Sequence, residues 1–149
     1  SPWGIDFFVF PCHLYMQVPS FTIGRPAWDN WMVYHARQEF GMAIDASRQV
    51  MAIHQNHDYS HLPGNKPPYG SEVAKSNLAK AGGRRHVYNI LDTNRELVGG
   101  RVVSPEFRVV RILRRLERML IPESAQGWRW ELSLRLQQMQ RPLAVKPRR

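Results

Sequence analysis

Between Ala27 and Phe40 the aromatic and apolar residues recur at helical spacing, and directly after Gly41 the pattern changes to that of a strand. Trp28, Trp31, Met32, Tyr34, His35 and Gln38 trace successive turns, with a glycine where a helix C-terminus favours one. Met42-Ala43-Ile44-Asp45-Ala46 and Val50-Met51-Ala52-Ile53 then read as short strands joined by Ser47-Arg48-Gln49. Upstream, Asp6-Phe7-Phe8-Val9-Phe10 is an aromatic and β-branched run stopped by Pro11. Strand, helix, strand, strand with short links predicts an α/β architecture. Ser71 to Ala81 predicts a short helix closed by Gly82-Gly83, and His86 to Leu91 a further strand. Asp92-Thr93-Asn94 and Gly99-Gly100 predict turns around Arg95-Glu96-Leu97-Val98, and 62–70 predicts a loop. The runs 6–10, 43–46, 50–53 and 86–91 are expected to share one sheet, with helix 27–40 packed against it.

The second half reads differently. Ser104-Pro105-Glu106 offers a hydroxyl N-cap, proline at the first helical position and an acid in the first turn. In the helix expected from Pro105 to Leu120, Val109, Ile112, Leu113, Leu116, Met119 and Leu120 line one stripe, and Arg108, Arg111, Arg115 and Arg118 another. An amphipathic helix of this kind is expected to pack its apolar stripe on its own domain and leave its arginines in water. Residues 128–136 alternate with strand period, but Gln137-Gln138-Met139-Gln140 and the leucine content favour helix. A disordered tail is expected from Pro142 to Arg149. The organisation read from this is an α/β part over 1–98, a basic helical extension over 99–141 and a tail over 142–149.

At 149 residues the chain suits one domain with a core of its own, and 43% hydrophobic with 11% aromatic residues excludes wholesale disorder. No run approaches the ~18 apolar residues of a membrane span. The first residue is Ser1, so a processed chain or a piece of a longer one is expected. The single Cys12 cannot close an internal disulfide, which fits a reducing, cytoplasmic setting. The net charge of +9 is unevenly placed. Residues 1–83 carry six bases and six acids, whereas 84–149 carry fifteen bases and six acids. That asymmetry implies an acidic partner surface for the second half.

Residues 54–61, His54-Gln55-Asn56-His57-Asp58-Tyr59-Ser60-His61, concentrate ligand-type side chains behind the run 50–53. Histidine is the commonest metal ligand and titrates near neutral pH, so the cluster is a candidate site. Its spacing matches no known zinc motif, and Pro63-Gly64 with the Asn, Asp and Ser content favours a loop. His54, His57 and His61 are the candidate metal ligands; the bland alternative is a polar loop with its imidazoles hydrogen-bonded to backbone.

The block Phe21 to Arg37, with its G-R-x-x-W-D-N-W core, the F-V-F-P run before it and I-H-Q-N-H-D-Y-S-H after it, resembles the C-terminal half of bacterial GT-A-type glycosyltransferase-like proteins, of the nucleotide-diphospho-sugar transferase superfamily. The resemblance covers roughly residues 4–83 and continues more weakly to about 98. It implies a partial GT-A-like mixed sheet with flanking helices. Asp29 would be the acid that acts as base or orients the acceptor, and His54 or His57 a ligand to a metal or pyrophosphate. It also makes Arg25, Trp28, Asn30, Trp31, Asp58 and Tyr59 candidate substrate contacts, and Mn²⁺ or Mg²⁺ a candidate cofactor. Such enzymes hold donor and metal on an N-terminal half with an Asp-x-Asp signature; this sequence contains no Asp-x-Asp and no glycine-rich phosphate loop.

The expected function is therefore the acceptor-side half of a nucleotide-sugar-dependent sugar transferase, acting on a glycan or lipid-linked acceptor and inactive without a donor-binding half. The alternative is a non-catalytic binding or assembly module whose basic helix docks, through Arg108, Arg111, Arg115 and Arg118, on an acidic protein or an anionic membrane, in the latter case as a peripheral protein at the inner membrane. Nucleic acid is the less favoured partner, because the arginines sit on an amphipathic helix without interleaved exposed aromatics.

Overall fold

The computed structural model describes residues 4, 5, 7–53 and 70–144. Their elements are α1 (Trp28–Glu39), β1 (Ile44–Asp45), α2 (Glu72–Lys80), β2 (Arg95–Val98), β3 (Arg101–Val103), α3 (Val109–Leu120) and α4 (Trp128–Ala144), with 3-10 turns at Arg84–His86 and Ile90–Asp92. β1 runs parallel to β2, with Ile44 opposite Arg95, and β2 pairs antiparallel with β3. The Gly99-Gly100 link takes positive φ at both residues (56° and 74°), as a two-residue hairpin turn with the twist of its strands requires. The result is a mixed α/β domain with a small three-stranded sheet. Among the described residues no helix is long and apolar enough to cross a membrane.

α1 forms where the aromatic spacing places it, and buries Trp31, Met32, Val33 and Ala36. Trp31 and Met32 close a core with Ala81, flanked by Phe8, Tyr15, Phe21, Trp28 and Tyr34. α2 starts at the expected N-cap, where the Ser71 hydroxyl accepts from the Ala74 N–H at 3.2 Å. Tyr15 donates its hydroxyl to the Met32 carbonyl at 2.8 Å, and burial pushes its phenol from 10.0 up to about 12. A phenol that is harder to ionise in the folded than in the unfolded chain contributes stability at and below pH 10. That contribution is lost as pH rises from 10 towards 12. Alkaline unfolding followed with phenolate absorbance should show this loss, and Tyr15→Phe should remove it; an unchanged alkaline limb would exclude Tyr15 as its source.

Of the four runs expected to share a sheet, only 43–46 enters it, through β1, and its partner is β2. Asp6 lies outside the described residues, and residues 7–10 form no strand. Their aromatics are used against α1 instead: Phe8 packs 5.9 Å from Trp28, and Phe10 meets Tyr15 edge-on at 4.6 Å. Residues 50–53 are exposed and unladdered, with Met51 and Ile53 almost bare to solvent. The 86–91 run breaks into 3-10 turns because Asn89 caps the second of them. Its Oδ1 accepts from Leu91 N–H and its own N–H donates to Asp92, both at 2.8 Å. A local side-chain bond of this kind competes directly with a strand ladder.

α3 starts at Val109, four residues later than Pro105, since Arg108 is extended (φ −143°, ψ 134°). Its orientation is the reverse of the expected one. Val110, Arg111, Arg114 and Glu117 are buried, whereas Val109, Ile112, Leu116 and Met119 are exposed. The arginines turn inward because the Val87–Glu96 stretch presents carbonyls and carboxylates to them. Arg111 donates to the carbonyls of Leu91 (3.0 Å) and Thr93 (2.9 Å) and pairs with Glu96 at 3.0 Å. Arg114 takes Asp92 with Nε and Nη2 (2.9 and 2.8 Å), Glu117 with Nη1 (2.9 Å) and the Val87 carbonyl (3.0 Å). Burial opposes the Arg114 charge, but Asp92 and Glu117 outweigh it and hold the guanidinium above its ordinary value. Arg118 lies 3.7 Å over the Tyr88 ring, and burial pulls its guanidinium below the ordinary value despite Asp92. Of the expected strip Arg115 is exposed, and Arg108 is partly covered and donates to the Leu143 carbonyl at 3.2 Å.

α4 is a helix, as the Gln and Leu content favours, and continues past Pro142 to Ala144, where a tail was expected. A proline there costs only a bond in the last turn. α4 packs on α3, with the Gln140 amide, fully buried, donating to Glu117 at 2.7 Å.

Candidate functional site

The G-R-x-x-W-D-N-W segment enters α1 through Ala27, which sits at φ 83°, ψ −22° as its N-cap. For a residue with a Cβ that left-handed conformation costs on the order of 1–3 kcal/mol, so the surroundings must enforce it. Asn77, wholly buried on α2, does so. Its Oδ1 accepts from Thr22 N–H at 2.9 Å, and its Nδ2 donates to the carbonyls of Thr22 (2.9 Å) and Pro26 (3.1 Å). Lys80, one helical turn on, adds a bond to the Ser20 carbonyl at 2.6 Å. The motif turn is thus bolted to α2 on both sides of its glycine.

The bolted turn forms one wall of a cleft of about 450 Å³. Ala27 and Asn30 contribute from the motif, Leu78 from α2, and Arg84, Val87 and Asn89 from the segment before β2. Across it stand Ile121 and, from α4, Trp130, Ser133 and Gln137, while α3 adds Arg114 and Glu117. The volume lies within the ~300–1,000 Å³ of small-ligand sites. Most of its polar groups already serve the fold. Asn30 Nδ2 donates to the Tyr88 carbonyl at 2.6 Å, Ser133 Oγ to the Trp130 carbonyl at 2.7 Å, and Arg114 and Glu117 hold each other. Arg84 places its guanidinium 4.9 Å over the Trp130 ring, so the cleft offers an aromatic face with a cation beside apolar Leu78, Val87 and Ile121.

The expected site residues distribute unevenly around this cleft. Asn30 lines it. Asp29 sits in the first turn of α1, where the helix N-terminus stabilises a carboxylate, and its Oδ1 accepts from Asn30 N–H at 2.9 Å. Trp28 is half-buried against Phe8. Arg25 donates to its neighbour, the Gly24 carbonyl, at 3.5 Å. Trp31 is a core residue, 7% exposed and stacked on His35 at 4.6 Å, so its ring presents no face to a ligand. His54, His57, Asp58, Tyr59 and His61 lie outside the described residues; among the described ones no three His, Cys, Asp or Glu side chains converge as a metal set.

Arg84, Trp130 and Asn77 were not singled out by the sequence. Trp130 carried a weak signal as the second tryptophan of Trp128-Arg-Trp130, while nothing in Asn77's surroundings distinguishes it from an ordinary polar helix position. No protein family, curated protein or solved structure matches this chain.

Proposed function

We propose that the chain is the acceptor-side part of a GT-A-like, nucleotide-sugar-dependent sugar transferase, working with a donor-binding part that carries the Asp-x-Asp signature its own sequence lacks. The observation that supports this reading is the bolted motif turn, which brings Asn30 to a cleft shared with Trp130 and Arg84. An aromatic plane beside amide and guanidinium donors suits the apolar face and hydroxyl edge of a sugar ring. In this reading Asp29, at the N-terminus of α1, orients or deprotonates the acceptor hydroxyl, and Mn²⁺ or Mg²⁺ clamps the donor pyrophosphate. Calorimetry with oligosaccharides should show weak binding to these 149 residues, lowered roughly fivefold or more by Trp130→Ala, for a lost aromatic contact worth about 1 kcal/mol. Nucleotide-sugars with either metal should give no heat. Oligosaccharide binding indifferent to Trp130→Ala, or tight nucleotide-sugar binding, would sink the assignment.

A second reading, a non-catalytic module that docks through its second half, is favoured by one specific feature: α3 turns its apolar stripe outward.

A further inference from the structure

The α3–α4 hairpin carries two outward apolar stripes. On α3, Val109, Ile112, Leu116 and Met119 are 57, 40, 45 and 74% exposed, at the three-and-four spacing of one helix face. On α4, Trp128, Leu132, Met139 and Leu143 are 69, 38, 54 and 47% exposed and likewise share a face. The helices lie antiparallel, as the Arg108 contact to the Leu143 carbonyl at one end and the Arg129 contact to the Met119 carbonyl (3.0 Å) at the other require. On each helix the polar buried face, the inter-helix contact and the apolar stripe follow in the same rotational order, so both stripes look out on the same side. Leu113, Leu120 and Leu136, a further set of leucines on the two helices, are half-buried. Each outer margin carries an exposed arginine, Arg115 beside the α3 stripe and Arg135 beside the α4 stripe, the latter with exposed Glu131 one turn before it.

We propose that this face is a docking surface for an anionic lipid bilayer, with the apolar stripes entering the acyl boundary and Arg115 and Arg135 at the headgroup phosphates. The proposal rests on the second reading above and names its partner. Charge complementarity selects the occupant. A second copy laid face to face would bring arginine margin against arginine margin between chains of net charge +9 each. An apolar surface edged with arginines and ending in an exposed tryptophan matches the interfacial zone of a membrane. Because the buried face of α3 is held by ion pairs rather than by its leucines, the stripe can leave water without unfolding the hairpin.

The test is flotation of the 149-residue chain with unilamellar vesicles. It should float with phosphatidylglycerol–phosphatidylcholine vesicles at low salt, and stay behind with pure phosphatidylcholine or at high salt. Arg115→Gln with Arg135→Gln should lower partitioning roughly thirtyfold, about fivefold for each arginine near an anionic surface. Ile112→Gln, Leu116→Gln and Met139→Gln together should lower it by about a hundredfold or more, with the helical circular dichroism of the parent chain retained. Flotation that survives the apolar triple variant would reduce the effect to non-specific adhesion of a basic chain and overturn the proposal. So would a dimer in sedimentation equilibrium that the same variant dissolves, which would assign the face to a second copy. A monomer that fails to float with anionic vesicles overturns the lipid assignment while leaving the docking reading to an acidic protein partner.

Discussion

Asn77→Asp should destabilise the protein by roughly 3–5 kcal/mol, a fall in melting temperature on the order of 10 °C for a chain of this size. The substitution changes a single atom group, yet it inverts the sign of the contact. The Asn77 Nδ2 donates to two carbonyls, those of Thr22 and Pro26, in a fully buried position. An oxygen there sets a partial or full negative charge against two acceptors, with no water to intervene. The loss should shrink as the pH is lowered, because a protonated carboxyl regains one donor. Asn77→Ala, which removes the clamp without adding a charge, should cost less, about 2–3 kcal/mol and independent of pH. Both variants should raise the proteolytic sensitivity of the Thr22–Ala27 turn before that of α3 or α4. Equal melting of Asn77→Asp and the parent chain would show that the clamp does not hold the turn.

The second large effect is expected at Arg114. Arg114→Met leaves Asp92 and Glu117 buried without their shared cation and should cost about 3–5 kcal/mol. Arg114→Lys should recover only part of this, since one ammonium cannot reproduce four directed bonds to Asp92, Glu117 and Val87. The decisive comparison is the triple variant Arg114→Met, Asp92→Asn, Glu117→Gln. If the damage comes from stranded carboxylates, removing their charge should restore most of the stability. If the triple variant melts as low as Arg114→Met, the guanidinium matters through packing instead. Unfolding in urea, followed by tryptophan fluorescence, separates the two.

The parts of the fold that local chemistry decides were legible. α1 and α2 follow from aromatic spacing, a serine cap and closing glycines, and the Gly99-Gly100 turn from its residue types. What long-range partners decide was not. The 86–91 run has strand-like composition, but Asn89 captures its backbone and Arg111 and Arg114 draw its carbonyls, so the β-propensity has no ladder to act on. Periodicity identified both faces of α3 and misjudged which one is buried, because a hydrophobic stripe specifies a face without specifying its neighbour. The deciding information lay in Asp92 and Glu96, acids placed beside turn carbonyls some twenty residues upstream, and in Glu117 at three residues from Arg114. For the cleft, the motif helix was readable as a candidate site, and Asn30 does line it. Its opposite wall, Trp130 and Gln137 on α4, belongs to a helix that sequence separates from it by a hundred residues.

The polar ties between the first part of the chain and the 77–96 segment span similar lengths of sequence. Asn77 holds Thr22 at a separation of 55, Asn30 holds Tyr88 at 58, Arg37 donates to Asp92 at 55, Asn94 accepts from Ala43 at 51, and Lys80 reaches Ser20 at 60. Ile44 opposite Arg95 in the sheet continues the series. Asn30 with Tyr88, Arg37 with Asp92, Ala43 with Asn94 and Ile44 with Arg95 follow one another in the same direction, whereas Ser20 with Lys80 and Thr22 with Asn77 run in the opposite order, and these contacts, rather than the length of chain that joins the two segments, set their alignment. Lengthening that connection would raise the closure cost only logarithmically, by about 0.6 kcal/mol per doubling. The two segments are thus held on one another by side chains that both of them carry, across 51 to 60 residues of sequence.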